Sequence, residues 1–218
     1  MCTRFYIEKE NATLADIAQA ATRSSLTRQF LVKIAKPMLT SGEIRPTDLV
    51  PVIAPNRNGE KAVFPMKWGF TINEKAAPLV NARVETAAQK PTFKESWERR
   101  RCIIPASWYF EWMHYRTTDV KTKTGDKYLI QPKGAEITWL CGLYRFEDGL
   151  PVFTVLTREP GQELAKIHDR MPLILPNEKV EAWIRPDSEP EKLIPCSLTD
   201  MIMEKAPSME SSQMKLPF

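Results

Sequence analysis

Between residues 101 and 157 the chain reads as one strand after another. The runs CIIPASWYFEWMH, KYLIQP, ITWLCGLYRF and PVFTVLT are crowded with β-branched and aromatic side chains, which suit a pleated, half-buried surface. Turn formers separate them: TKTGDK at 122–127 and FEDGLP at 146–151 read as hairpin turns, so neighbouring strands run antiparallel. Outside this block the chain is helical or irregular. Residues 13–36 carry Leu14, Ile17, Ala18 and Ala21 at helical spacing, with Thr13 as a cap, and the Ser24-Ser25 pair splits the pattern into two helices. The stretch PMLTSGEIRPTDLVPVIAPNRNG is rich in proline and turn formers and reads as loops carrying short strands. Near the end, EKVEAWI at 178–184 has helical spacing, and PEKLIPCSL reads as a further short helix. These elements predict an α+β fold, a single compact domain over 1–218 with a curved, mostly antiparallel β-sheet and peripheral helices.

The 218 residues, 43% hydrophobic and 27% charged, can bury a core without disulfides, and exclude disorder for the bulk of the chain. No apolar run approaches the roughly 18 residues of a membrane span. The N-terminal segment, with Arg4, Glu8, Lys9 and Glu10, lacks the apolar centre of a signal peptide, so a cytoplasmic protein is expected. A net charge of +4 permits a polyanionic partner without requiring one.

Four cysteines (Cys2, Cys102, Cys141 and Cys196) include no C-x-x-C pair, so neither a metal site nor a disulfide framework is expected. Cys102 and Cys141 sit in apolar runs and read as small buried hydrophobes. Cys2 is different. Removal of Met1 leaves it as the first residue, with an α-amine of pKa about 7.7–8.0 on the same carbon skeleton as a thiol of about 8.5.

Two further stretches carry more polar chemistry than a sheet needs. In NARVETA, residues 81–87, an extended backbone puts Asn81, Arg83 and Glu85 on one face; a solvated edge strand running into the next helix accounts for the same pattern. In SWYFEWMH, residues 107–114, Glu111 shares a face with Tyr109 and Met113. Either that face is wet or a carboxyl is held in poor solvent, where its raised pKa suits proton transfer near neutrality. Of the two histidines, His168 in KIHDRMPLIL stands at an element boundary beside Asp169 and Arg170, as a proton donor or as a structural residue. Arg4, Arg83, Lys94, Arg99, Arg100, Arg101 and Arg170 fall near these segments. With the flat faces of Trp68 and Trp108 they supply the ingredients of single-strand binding, though ERRR equally reads as the exposed end of a helix.

The order MC-x-R-F, APN, MKWGF, NARVETA, FKESWERRRCIIPASWYFEW and HDRMP resembles the SRAP family (SOS response-associated peptidase) from residue 2 to about residue 185. Thr3 stands where the family commonly has glycine, and Val52 where an asparagine is usual before Ala-Pro. The resemblance implies a compact mixed fold with a basic groove for single-stranded DNA, including junctions, and covalent capture of abasic sites as a thiazolidine on Cys2. It implies Cys2 as nucleophile, Asn81 and Glu111 lining the pocket, and His168 assisting the opening of the sugar ring. It assigns Arg4, Arg83 and Arg170, with Thr157, to the DNA phosphates, and Trp68 to the edge where a duplex is interrupted. No cofactor or metal is implied. A monomer is expected, nucleoid-associated when DNA is damaged if the source is a bacterium or phage. Two other readings stay open: an N-terminal-cysteine thiol peptidase or autoprocessing hydrolase, and a noncatalytic single-stranded DNA-binding module.

Overall fold

The computed structural model describes residues 2–73, 75–116 and 122–206. In chain order the strands are β1 (Phe5–Ile7), β2 (Gly42–Ile44), β3 (Leu49–Pro55), β4 (Lys61–Trp68), β5 (Asn81–Arg83), β6 (Arg101–Ala106), β7 (Trp108–Arg116), β8 (Thr122–Pro132), β9 (Thr138–Glu147), β10 (Leu150–Arg158), β11 (Met171–Pro172), β12 (Ile174–Leu175) and β13 (Met201–Lys205). The helices are α1 (Ala12–Thr22), α2 (Ser25–Ile34), α3 (Val84–Ala87), α4 (Pro91–Arg99), α5 (Asn177–Ile184) and α6 (Pro190–Leu193).

The strands form two sheets. The smaller runs β13-β8-β7-β1-β2, antiparallel throughout. In the larger, β10 pairs with both β4 and β9, so that β10-β4-β3-β6-β9 closes into a barrel. Closure removes the unpaired edges a flat sheet would expose. The expected α+β class and mostly antiparallel pairing hold. What the sequence does not announce is the second sheet, the closure, and the parallel pairing of β10 with β4 and β5.

Local chemistry explains most boundaries. The β9–β10 hairpin turns on Asp148 and Gly149, at φ 51° and 78°; two successive positive φ values match the right-handed strand twist. The split at Ser24 is real, and the Ser24 hydroxyl accepts from the Leu26 amide at 3.3 Å. The cap of α1 is Asn11 rather than Thr13, because the Asn11 carboxamide accepts from the Leu14 amide at 3.1 Å. In the stretch expected as loops carrying short strands, residues 49–55 form the almost wholly buried seven-residue strand β3. There Pro51 stands opposite Pro65, so both missing N–H groups fall at one rung of the ladder. The APN motif ends that strand, and the Asn56 side chain accepts from the Asn58 and Glu60 amides to build the β3–β4 turn.

Residues 122–127 are not a hairpin turn; they are rungs of β8. Gly125 and Asp126 together oppose Met113, between the pairs Trp112–Lys127 and His114–Thr124. The turn formers there serve a β-bulge, and the β7–β8 connection at 117–121 lies outside the described residues.

One buried apolar cluster joins the sheets, running from Cys2 and Phe5 through Trp68 and Phe153 to Trp183. Cys102 and Cys141 lie inside it. Gly142 lets β9 approach its neighbours closely: a Cβ there would lie 2.7 Å from the Thr154 carbonyl oxygen and 2.6 Å from Ile104 Cδ1. Arg101 corrects the reading of ERRR as an exposed basic run, since it is buried. Its guanidinium donates to the Trp97, Glu98, Trp183, Arg185 and Ser188 carbonyls and to the Ser188 hydroxyl, tying the ends of α4 and α5 together.

Candidate active site and nucleic-acid face

Cys2 precedes β1 in the smaller sheet and its side chain is fully buried. The opposite wall comes from the larger sheet. Asn81 begins β5, which pairs in parallel with the far half of β10, and its Nδ2 donates to the Cys2 carbonyl at 2.9 Å. This bond fixes the backbone of residue 2, while Asn81 Oδ1 is buried without a hydrogen-bond partner among the described residues. The Cys2 Sγ donates weakly to the Arg4 carbonyl at 3.7 Å. Burial, and then the Glu111 charge, push the Cys2 thiol well above its ordinary range.

Glu111 lies mid-β7 on the inward side with Tyr109, and only 2% of it is exposed. The carboxyl is therefore in poor solvent, the second of the two readings its sequence allowed. Burial, the largest effect, pushes it up to about 7 against the pull of the N-terminal amine, with the Asp169 charge acting alongside burial. His168 follows a single 3-10 turn at Leu164–Lys166 and reaches in from the β10–β11 loop. Its Nδ1 accepts from the Arg170 amide at 3.0 Å, and its Nε2 lies 3.8 Å from Glu111 Oε2. Asp169 Oδ1 stands 2.9 Å from the same Nδ1. Thus Cys2, Asn81, Glu111 and His168 gather at the seam between the sheets.

The NARVETA face does not persist. Backbone extension ends at Arg83 and α3 begins at Val84, so Glu85 leaves the strand face and meets Arg170 instead. That pair is bidentate, 2.8 Å at each arm, and Arg170 Nη2 also donates to the Thr157 carbonyl at 2.7 Å. Partial burial works against the Glu85 carboxylate, yet the Arg170 hydrogen bonds hold it below its ordinary range.

The residues expected to hold DNA divide by exposure. Arg83 is exposed, and Arg4 is half-buried and paired with Glu43 at 3.2 Å. Trp68 is completely buried between Phe5 and Phe153 and donates Nε1–H to the Val80 carbonyl, so it offers no stacking face. Thr157 is equally buried, and Arg170 is 8% exposed and committed to Glu85. These three hold the framework behind the pocket rather than its surface.

Sequence reasoning missed two features. Tyr109 is buried beside Cys2 and Glu111, and its hydroxyl has no hydrogen-bond partner among the described residues; burial first, then the charges of Cys2 and Glu111, push the phenol up. The second is the rest of the aromatic row to which Trp108 belongs: Trp108, Phe110 and Trp112 recur at alternate positions of β7, a pattern visible in SWYFEW. Tyr6 stacks on Trp108 at 4.7 Å with the rings 2° from parallel, and Lys127 Nζ lies 3.7 Å over the Phe110 ring. Aromatic faces beside cations are what a single strand stacks on.

The site is thus a small closed barrel against a second sheet, with a buried near-N-terminal thiol at the seam and a buried carboxyl–imidazole pair beside it. The chain belongs to the SOS response associated peptidase (SRAP) family, whose pattern it matches over residues 1–214. It is 34% identical over 139 residues to the abasic site processing protein YoqW of Bacillus subtilis, covering 59% of this chain and 60% of that one. It is 36% identical over 129 residues to the abasic site processing protein YedK of Escherichia coli, covering 56% and 54%. The matched stretch thus spans less than two thirds of either relative. Among solved structures, a Bacteroides thetaiotaomicron protein superposes with a TM-score of 0.68 at 20% identity, over 96% of this chain and 94% of that one. A phage-related protein from Bordetella bronchiseptica gives 0.67 at 18%, over 95% of each, and both show a shared fold. Among the described residues no helix is long and apolar enough to cross a membrane.

Proposed function

We propose that this protein captures abasic sites in single-stranded DNA by forming a thiazolidine on Cys2 once Met1 has been removed. The observation that carries the reading is the enclosure of Cys2 by Asn81, Glu111 and His168, with the Asn81 amide holding the Cys2 carbonyl at 2.9 Å. YoqW and YedK bear the name of abasic site processing proteins, which supports the same reading.

The chemistry follows from the groups present. His168 Nε2–H is placed to protonate the ring oxygen of the closed sugar and so release its aldehyde. The Cys2 α-amine adds to that aldehyde, and the carbinolamine loses water to give an imine. The thiol then adds to the imine carbon: a C–S bond forms, the thiol proton passes through the Glu111 carboxylate to the nitrogen, and a five-membered ring closes. Overall, one water leaves and nothing is oxidised or reduced. Because the thiol sulfur is tethered three bonds from the reacting nitrogen, ring closure is effectively intramolecular. Arg4 and Arg83 take the flanking phosphates, and the Tyr6–Trp108–Trp112 face takes the bases.

The thiol peptidase alternative fits the site less well. A hydrolytic cysteine works as a thiolate, and both burial and the Glu111 charge hold this thiol protonated. The test is direct. Protein whose intact mass lacks Met1, mixed with a single strand carrying one abasic site, is expected to give a heat-stable conjugate lighter by one water than its parts. No conjugate from that protein, or an equal yield from Cys2→Ala, overturns the proposal.

A further inference from the structure

We propose that Glu43 is a built-in counterion: its carboxylate occupies a phosphate position among Arg4, Arg45 and Lys127, and an incoming DNA strand must displace it. The inference rests on the DNA-capture reading above and concerns what limits affinity at that face. Glu43 Oε1 lies 3.2 Å from Arg4 Nε and 3.4 Å from Arg45 Nη2, while Oε2 lies 2.7 Å from Lys127 Nζ. Three cations on three different strands or their flanks thus converge on one carboxylate. β2 brings Glu43 opposite Tyr6 on β1, and β8 brings Lys127 opposite Trp112 on β7.

The stereochemistry is that of an oxyanion site, since two guanidinium groups and an ammonium group are the donors that proteins turn toward phosphate. Glu43 is also poorly placed to be a purely structural pair. Its side chain and those of Arg4 and Lys127 remain 27–28% exposed, Arg45 is 63% exposed, and such pairs contribute little to folding. Nor does the cluster neutralise itself, because three positive charges face one negative. The residual charge attracts a strand, and Glu43 sets how tightly it is then held.

This arrangement suits a protein whose final bond to DNA is covalent. Tight noncovalent binding to intact strands slows the search for a lesion, whereas a captured aldehyde needs no strong phosphate grip. An internal carboxylate lowers affinity for every strand alike and leaves discrimination to Cys2. It also lowers the salt dependence of binding, since cations already neutralised from within release fewer counterions from the DNA.

The experiment measures binding of an intact oligonucleotide, without any aldehyde, to wild-type protein, Glu43→Gln and Glu43→Ala across a salt series, with Arg4→Gln as the reference for a lost phosphate contact. Both Glu43 variants are expected to bind about three- to tenfold more tightly at low salt. Their plots of log K against log salt should steepen by about 0.7, one single-strand phosphate contact. A purely structural role for Glu43 would leave the slope unchanged. If wild type binds with the expected salt dependence and neither variant is tighter or steeper, the counterion proposal is overturned while the DNA reading stands. If no form of the protein binds the strand, both fall together.

Discussion

The Nε2 of His168 stands 3.8 Å from Oε2 of Glu111, with the two side chains 8% and 3% exposed. One member reaches in from the barrel and the other belongs to the small sheet, so the pair exists only when the two sheets are docked. Each group answers a different proton requirement. The imidazole can give a proton to a departing sugar oxygen, and the carboxylate can take one from a thiol. In the proposed mechanism they act on different steps, so their roles separate experimentally.

Glu111 sets a pH limb. With its carboxyl pushed up to about 7 by burial, the form that accepts a proton prevails only above that pH. Conjugate formation is expected to fall on acidification with a midpoint near 7, and Glu111→Gln should lower the plateau about 10²-fold and remove that limb. The α-amine contributes its own limb near 7.7–8.0, which Glu111→Gln leaves in place. A limb near 7 that persists in the variant would assign it elsewhere.

The same carboxyl costs stability. Its folded pKa lies above the ordinary 4.5, so the folded state holds the proton more tightly between about pH 4.5 and 7. Stability is therefore lost as pH rises through that window and the penalty is complete above it, on the order of 3 kcal/mol. Glu111→Gln, neutral at every pH, is expected to be the more stable protein at pH 8 and nearly equal to wild type at pH 4. Urea melts at the two pH values check this, and equal differences at both would contradict it.

His168 is read best through the substrate. His168→Asn is expected to slow capture of an abasic site, where a closed ring must open, by about 10²-fold. A strand carrying an open-chain aldehyde skips that step and should react with the variant at close to the wild-type rate. Equal losses with both substrates would mean that His168 serves imine formation or the shape of the pocket instead.

Much of this was legible in the sequence, and the parts that were not share a cause. Alternation in SWYFEW and the turn chemistry of FEDGLP are local, so Glu111 sharing a face with Tyr109 and the β9–β10 hairpin follow from neighbours alone, while the burial of that face came from the structure. The barrel depends on β10 pairing in parallel with β4, a contact between strands more than eighty residues apart that no local pattern records. Arg101 and Arg170 misled for the same reason. A basic residue reads as surface until its distant acceptors are known, here the ends of α4 and α5 and the Glu85 carboxylate. The Trp68 indole likewise became framework because Phe5 and Phe153 close over it from both sides.

Arg101 gives a stability test of that point. Its guanidinium is shared among five backbone carbonyls and one hydroxyl where the end of α4 meets the end of α5. Arg101→Met keeps much of the volume but strands those acceptors, and should cost about 3 kcal/mol or more in a urea melt. A loss below about 1 kcal/mol would mean that water replaces the guanidinium at little expense.

Arg170 and Arg83 make the sharpest comparison, because both were expected to touch phosphate and only one is free to. Arg170 spends its guanidinium on Glu85 and the Thr157 carbonyl, while its backbone amide orients the His168 ring. Arg83 is exposed at the end of β5. Arg83→Gln is expected to weaken single-strand binding and reduce the salt slope by about 0.7, the signature of one lost phosphate contact. Arg170→Gln strands Glu85 and loosens the loop that carries His168, so conjugate formation should slow while the salt slope of binding holds. A reduced slope in Arg170→Gln would show that the Glu85 pair opens and that Arg170 reaches the strand after all.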